Sequence, residues 1–215
     1  MPRWRRHSYP EAIAAEVDDA PAGQAKQAEW LRSIAVLGVT VGILGAQFTI
    51  YAVMAAYLVQ GYGLAIDSLP LALLAFGVAG VLGNAIAGVS ADRLGPQIIV
   101  WLSIVGLGLM FLMMLLDLEP LFAAAALAGC GFSGTLFTAP QQARLTTLAP
   151  SPTHGILLAL NTSASYVGIA LGSTMASLLY EELGATALPL GGLFLLGLSC
   201  ALNLRGATSV SSRRM

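Results

Sequence analysis

Six stretches of this chain each run for more than twenty residues without one Asp, Glu, Lys or Arg: 34–60, 68–91, 96–116, 120–143, 155–180 and 183–204. About 20 predominantly apolar residues suffice for an α-helix to cross the hydrocarbon core of a bilayer. The backbone polar groups of such a segment must also be satisfied within the segment, which a helix does. The expected fold is therefore all-α and integral to a membrane, a six-helix bundle whose principal partner is the lipid bilayer. Composition agrees. Only 10% of the 215 residues are charged, 57% are hydrophobic and the mean hydropathy is +0.79. A soluble domain carries roughly a quarter charged residues, so this chain lacks the charge to coat a water-facing surface.

The positions of the charges orient the spans. Arg3, Arg5, Arg6, Lys26 and Arg32 precede the first span. Arg93 falls between the second and third, Arg144 between the fourth and fifth, and Arg205, Arg213 and Arg214 after the sixth. All ten basic residues thus belong to one side. The opposite loops hold Asp67, Asp117, Glu119, Glu181 and Glu182 and no Lys or Arg. Basic loops stay cytoplasmic, which predicts a multi-pass protein of the cell (inner) membrane with both termini in the cytoplasm. An odd number of spans would break the alternation. Residues 1–32 are polar, lack the apolar core of a secretory signal and are expected to form a cytoplasmic tail. Residues 33–205 form the transmembrane domain and 206–215 a cytoplasmic C-terminal tail.

Proline placement refines this. Pro70, Pro96 and Pro120 stand near span starts, where a missing N–H costs nothing. Pro140, near the end of the fourth span, is expected to bend or end its helix.

The loop after the second span reads Gly88-Val89-Ser90-Ala91-Asp92-Arg93-Leu94-Gly95. This resembles the Gly-x-x-x-Asp-Arg-x-Gly loop signature of the major facilitator superfamily. Gly88 and Gly95 permit close backbone approach or positive φ. Asp92 can serve a helix N-terminus, where the dipole favours an anion, and Arg93 can reach acidic groups or terminal carbonyls. Pro96 and Gln97 replace the basic pair that usually follows. The ordered set Phe48–Tyr57, Gly77–Arg93, Ala139-Pro140, Leu160–Ala164 and Gly168–Gly172 is similar to the arabinose-efflux branch of drug and sugar exporters, and matches its helices seven to twelve. The resemblance implies one half of such a transporter, exporting a small-molecule substrate by alternating access. It makes residues 1–32 the counterpart of the central linker, and makes a missing N-terminal half, or a second copy of the chain, the partner.

Small and polar faces follow helical spacing. Gly77, Gly80, Asn84 and Gly88 form one stripe on the second span, and Asn161, Ser165, Gly168, Gly172 and Ala176 another on the fifth. Small residues let helix backbones approach in lipid. Such stripes serve packing within the bundle or, as the resemblance implies, packing of one half against the other. Thr40, Gln47 and Tyr51 on the first span, and Gly134, Thr138 and Gln141 on the fourth, carry the polar side chains. In the similar transporters the corresponding helices line the central cavity, which makes Gln47, Tyr51, Thr138 and Gln141 candidate cavity residues. A neighbour that satisfies each polar group is the competing reading.

No span holds a charged or histidine side chain, so no proton relay is expected, and His154 is read as interfacial. Cys130 and Cys200 lie in apolar stretches and read as packing residues. Nothing suggests a metal, a cofactor or nucleic-acid binding. Gly131-Phe132-Ser133-Gly134 invites comparison with rhomboid-type intramembrane proteases, whose serine needs a base within reach. The sixth span contains no histidine, and no enzyme is expected. A non-transporting assembly or regulatory protein is the remaining alternative.

Overall fold

The computed structural model describes residues 22–116, 119–148 and 153–211, with side chains described between residues 30 and 204. Among the described residues, six helical spans are long and apolar enough to cross a membrane. The first is Ala22–Tyr51, the second Leu69–Leu94 and the third Pro96–Met113. The fourth is built from two helices, Pro120–Thr135 and Thr138–Leu148. The fifth is His154–Leu183 and the sixth Leu188–Ser211. The first helix thus begins inside the expected tail, most of which lies outside the described residues, and the sixth runs on past residue 205.

Prolines and glycines set several boundaries. Pro70, Pro96 and Pro120 occupy first-turn positions of their helices. Gly95 (φ 86°) and Gly184 (φ 79°) end the second and fifth spans. Each donates its N–H back to a carbonyl of the last turn, Ala91 at 2.9 Å and Tyr180 at 3.2 Å. Positive φ of this kind is what glycine adopts without a Cβ penalty, which accounts for the last residue of the loop signature.

Two spans depart from the expected course. The first was expected to reach residue 60, but its helix stops at Tyr51. A turn at Met54–Ala56 and a π-helical turn at Tyr57–Gly61 follow. Tyr57 and Leu58 are fully buried there. The Tyr62 hydroxyl donates to the carbonyl of Met114 at 2.5 Å and lies 3.2 Å from the Tyr57 hydroxyl. Tyr180 on the fifth span donates to the Gln60 side chain at 2.6 Å. The segment is therefore tied to the third and fifth spans.

The fourth span breaks at Leu136–Phe137, four residues before Pro140. That proline cannot donate to the Leu136 carbonyl, and its ring crowds the same group. The helix then resumes to Leu148 rather than ending near residue 143. Arg144, expected in a loop, consequently lies within the span.

The first span is the most enclosed: 61% of its most apolar stretch is buried, against 11% for the second. It packs between the fifth and sixth, while the fourth packs against the second and third. Val39, Ile43, Ala46 and Ile50 of the first span join Leu107, Phe111, Leu127, Cys130 and Leu196 in one core.

Candidate functional site

A connected chain of buried polar side chains joins the first, fourth and fifth spans. Arg144 Nη1 donates to Gln141 Oε1 at 3.0 Å. Gln141 Nε2 donates to the Val36 carbonyl at 2.6 Å and to the Thr40 hydroxyl at 3.1 Å. Thr40 in turn donates to Asn161 Oδ1 at 2.7 Å. Gln141 and Thr40 are fully buried and Arg144 is only 7% exposed. The order of donors is fixed from its charged end: a guanidinium can only donate, so Gln141 must present its oxygen to Arg144 and its amide N–H groups to the first span. Sequence reading missed this cluster's charged member because an arginine after an apolar run looks like a loop residue. Spacing held the signal, since Gln141 and Arg144 are three apart on one helical face.

The two small-residue stripes are placed differently. On the fifth span, a Cβ at Gly168 would stand 2.6 Å from the Val41 carbonyl, and one at Gly172 would fall on the carbonyl of Gly45. Asn161, Gly168, Gly172 and Ala176 are buried against the first span, and Ser165 donates to the carbonyl of Asn161 at 2.8 Å. This stripe packs within the bundle. On the second span, Gly83 serves that purpose against Phe132 of the fourth, and Thr135 donates to the carbonyl of Gly80 at 2.7 Å. Gly77 and Gly88, by contrast, have nothing within 4 Å of a Cβ position, and Asn84 is exposed.

The four residues chosen as cavity candidates also divide. Gln141 belongs to the buried cluster, and buried Gln47 lies against Gly134, where a Cβ would collide with its amide. Tyr51 and exposed Thr138 line an open groove of about 620 Å³ between the first, second and fourth spans. Phe76, Gly77, Gly80, Asn84 and Gly131 contribute to the same groove. The Tyr51 and Phe76 rings meet edge to face, 4.5 Å between centroids.

The loop signature lies at one end of the bundle. Asp92 and Arg93 are exposed in the last turn of the second span. Gly95, not Asp92, caps the third helix, and no side-chain bond is made there. Among the described residues neither the Asp92 nor the Arg93 side chain forms a hydrogen bond or ion pair. The cap residue is a glycine with no side chain to offer, and Asp92 lies within the preceding helix.

Ser133 is buried in the fourth span against Gly106 of the third, and its carbonyl accepts from Ser103 at 2.6 Å. No hydrogen bond joins it to a histidine or carboxylate among the described residues, so the chemistry of a serine nucleophile has no support here.

A bundle of six membrane-spanning helices with an uncovered groove and a Gly-x-x-x-Asp-Arg-x-Gly turn defines a polytopic membrane protein of the transporter type. The family profile of the Major Facilitator Superfamily matches residues 36–213, and the chain belongs to that superfamily. Its members are transporters rather than enzymes. No solved structure matches the chain.

Proposed function

We propose that this chain forms one half of an exporter of small organic solutes, working by alternating access around a site between two six-span bundles. The observation that carries the reading is the uncovered groove between the first, second and fourth spans, beside the open glycines of the second. Transporters of this general design place substrate near the bilayer midplane between repeats. The exposed second span and its unfilled Gly77 and Gly88 leave room for a second bundle, either an N-terminal half or another copy. Breaks in the first and fourth spans, at either side of their contact at Gln47 and Gly134, supply the points at which each could bend. The charge distribution supports the cell membrane with both termini cytoplasmic, so that Arg93 and the motif turn face the cytoplasm.

The test is vesicle reconstitution of the purified chain with a panel of labelled sugars and aromatic drugs. Saturable, substrate-specific flux that is lost when Gly88→Leu closes the uncovered face supports the reading. Sound folding with no flux of any compound, alone or with a second half supplied, favours an assembly or regulatory role.

A further inference from the structure

We infer that Arg144, buried about one helical turn inside the basic end of the bundle, forms an anion site that takes a single carboxylate or phosphate group. Neither Arg144 nor the side chains bonded to it line the groove between the first, second and fourth spans. The site stands apart from that groove and does not depend on the chain being a transporter.

Charge accounting leads to it. Arg144 is 7% exposed, and its guanidinium makes one hydrogen bond, from Nη1 to the neutral oxygen of Gln141 at 3.0 Å. No carboxylate pairs with it among the described residues. A guanidinium stays charged and carries five N–H donors, so most of them are left over. Enclosing a cation without an opposite charge is costly. An ionisable side chain held within a membrane bundle in this way marks a functional site. Water is close: Leu148, where the fourth span ends, lies roughly 6 Å further along the helix. Nor is the guanidinium sealed. Among the described residues, the fully enclosed side-chain atoms without a partner are the Tyr51 hydroxyl and the Asn203 amide nitrogen. The spare N–H groups of Arg144 therefore keep some accessible surface.

The rest of the polar chain shares this bias toward donors. Gln141 spends its oxygen on Arg144 and its amide nitrogen on Val36 and Thr40. Thr40 gives its proton to Asn161 Oδ1. The Asn161 amide nitrogen is thereby left as a donor with no partner among the described residues, and it too is not sealed. Spare N–H groups thus stand at both ends of the chain, and no anionic acceptor stands within it. Shape selects the class of ligand. The parallel N–H bonds of a guanidinium fit two oxygens of a carboxylate or phosphate at once. A halide has a single centre and does not reproduce that fit.

The experiment is thermal unfolding of the purified full chain in uncharged detergent, titrated with acetate or inorganic phosphate against a chloride background of equal ionic strength. A further arm adds phosphatidylglycerol to the micelles, which separates a lipid headgroup from a free anion. The variants are Arg144→Met/Gln141→Leu, Gln141→Leu and, as a control on an exposed cation of the same end, Arg93→Gln. The parent should melt higher along a saturating curve. In the double variant the half-saturating concentration should rise at least about tenfold, as loss of a hydrogen bond to a charged group implies. Arg93→Gln should leave the curve in place. Gln141→Leu, whose cation has lost its own acceptor, should gain more from a saturating anion than the parent does.

Protection by acetate and phosphate supports a site for a free anion, and protection by phosphatidylglycerol alone supports the same site filled by a headgroup. An equal rise in the parent and the double variant is a surface effect and overturns the site, as does no rise in any arm. Loss of the response in Arg93→Gln places the anion elsewhere and overturns it too. A smaller gain in Gln141→Leu than in the parent also counts against it. Should Gln141→Leu fail to fold, the parent set against the double variant still decides.

Discussion

Arg144 and Gln141, three residues apart on the resumed fourth helix, share a buried hydrogen bond of 3.0 Å from which the orientation of a whole polar chain follows. The guanidinium takes the amide oxygen, and the amide nitrogen is thereby turned toward Val36 and Thr40 of the first span. Thr40 passes the connection to Asn161 of the fifth. Three spans are pinned at one level by four side chains.

The consequence for stability is measurable. Gln141→Leu removes the acceptor of a buried cation and both bonds to the first span. Leaving a buried polar group unsatisfied costs about 1–3 kcal/mol, more for a charged one. The double variant Arg144→Met/Gln141→Leu replaces both partners by apolar groups of similar size, and such replacement is often close to neutral. Thermal unfolding in detergent should therefore rank the parent and the double variant together, with Gln141→Leu well below. If the double variant is the least stable of the three, Arg144 is held by something other than Gln141.

Glycine substitutions should separate internal packing from open surface. At Gly172 a side chain would collide with the backbone of Gly45, whereas at Gly77 it would meet nothing. Forcing extra volume into a packed contact costs typically 1–3 kcal/mol. Gly172→Leu should lower the yield of monodisperse protein in size-exclusion chromatography, while Gly77→Leu leaves it unchanged. Equal losses at both positions would mean that the second span is covered in the folded protein.

The Asp92 side chain makes no hydrogen bond or ion pair among the described residues, so Asp92→Asn should leave melting and membrane insertion unchanged. Its proposed counterpart is a helix terminus of a second bundle, where a charge contributes about 0.3–1 kcal/mol at exposed sites and more when partly buried. Transport by a complete assembly should fall. Full transport by the asparagine variant would remove Asp92 from the mechanism.

Orientation has its own test. In a background with Cys130 and Cys200 replaced by alanine, single cysteines at Asp67 and Glu182, both exposed, should react with an impermeant thiol reagent added outside intact cells. So should one at Asp117, which lies outside the described residues. A cysteine at exposed Arg93 should react only after permeabilisation. Arg144 is a poor probe of the same side, because it is buried. External labelling at Arg93 would reverse the orientation.

The spans themselves were legible because length and hydropathy decide what a bilayer accepts, with little help from side-chain detail. The motif turn was legible because positive φ at Gly95 demands glycine. The early end of the first helix was not, since Tyr51-Ala52-Val53-Met54 contains no proline or glycine. Tertiary ties from Tyr62 and Tyr180 hold the segment that follows. The extension of the fourth span through Arg144 was hidden for a related reason: hydropathy counts an arginine as an end, while the fold meets its charge with the oxygen of Gln141. Nor could the stripes on the second and fifth spans be told apart by spacing. Their neighbours differ, Gly45 and Val41 for one and open space for part of the other, and a single helix's sequence does not name its neighbour.

The central claim is that this six-span bundle works only as one half of a pair. It is tested most directly by counting copies of the chain in vesicles that show flux, using a fluorophore-labelled chain, stepwise photobleaching and a transported probe in the same vesicle. The account predicts that vesicles with a single copy are silent and that saturable flux begins at two copies, or at one copy supplied with a second half. Saturable, substrate-specific flux from vesicles holding one copy alone would contradict it.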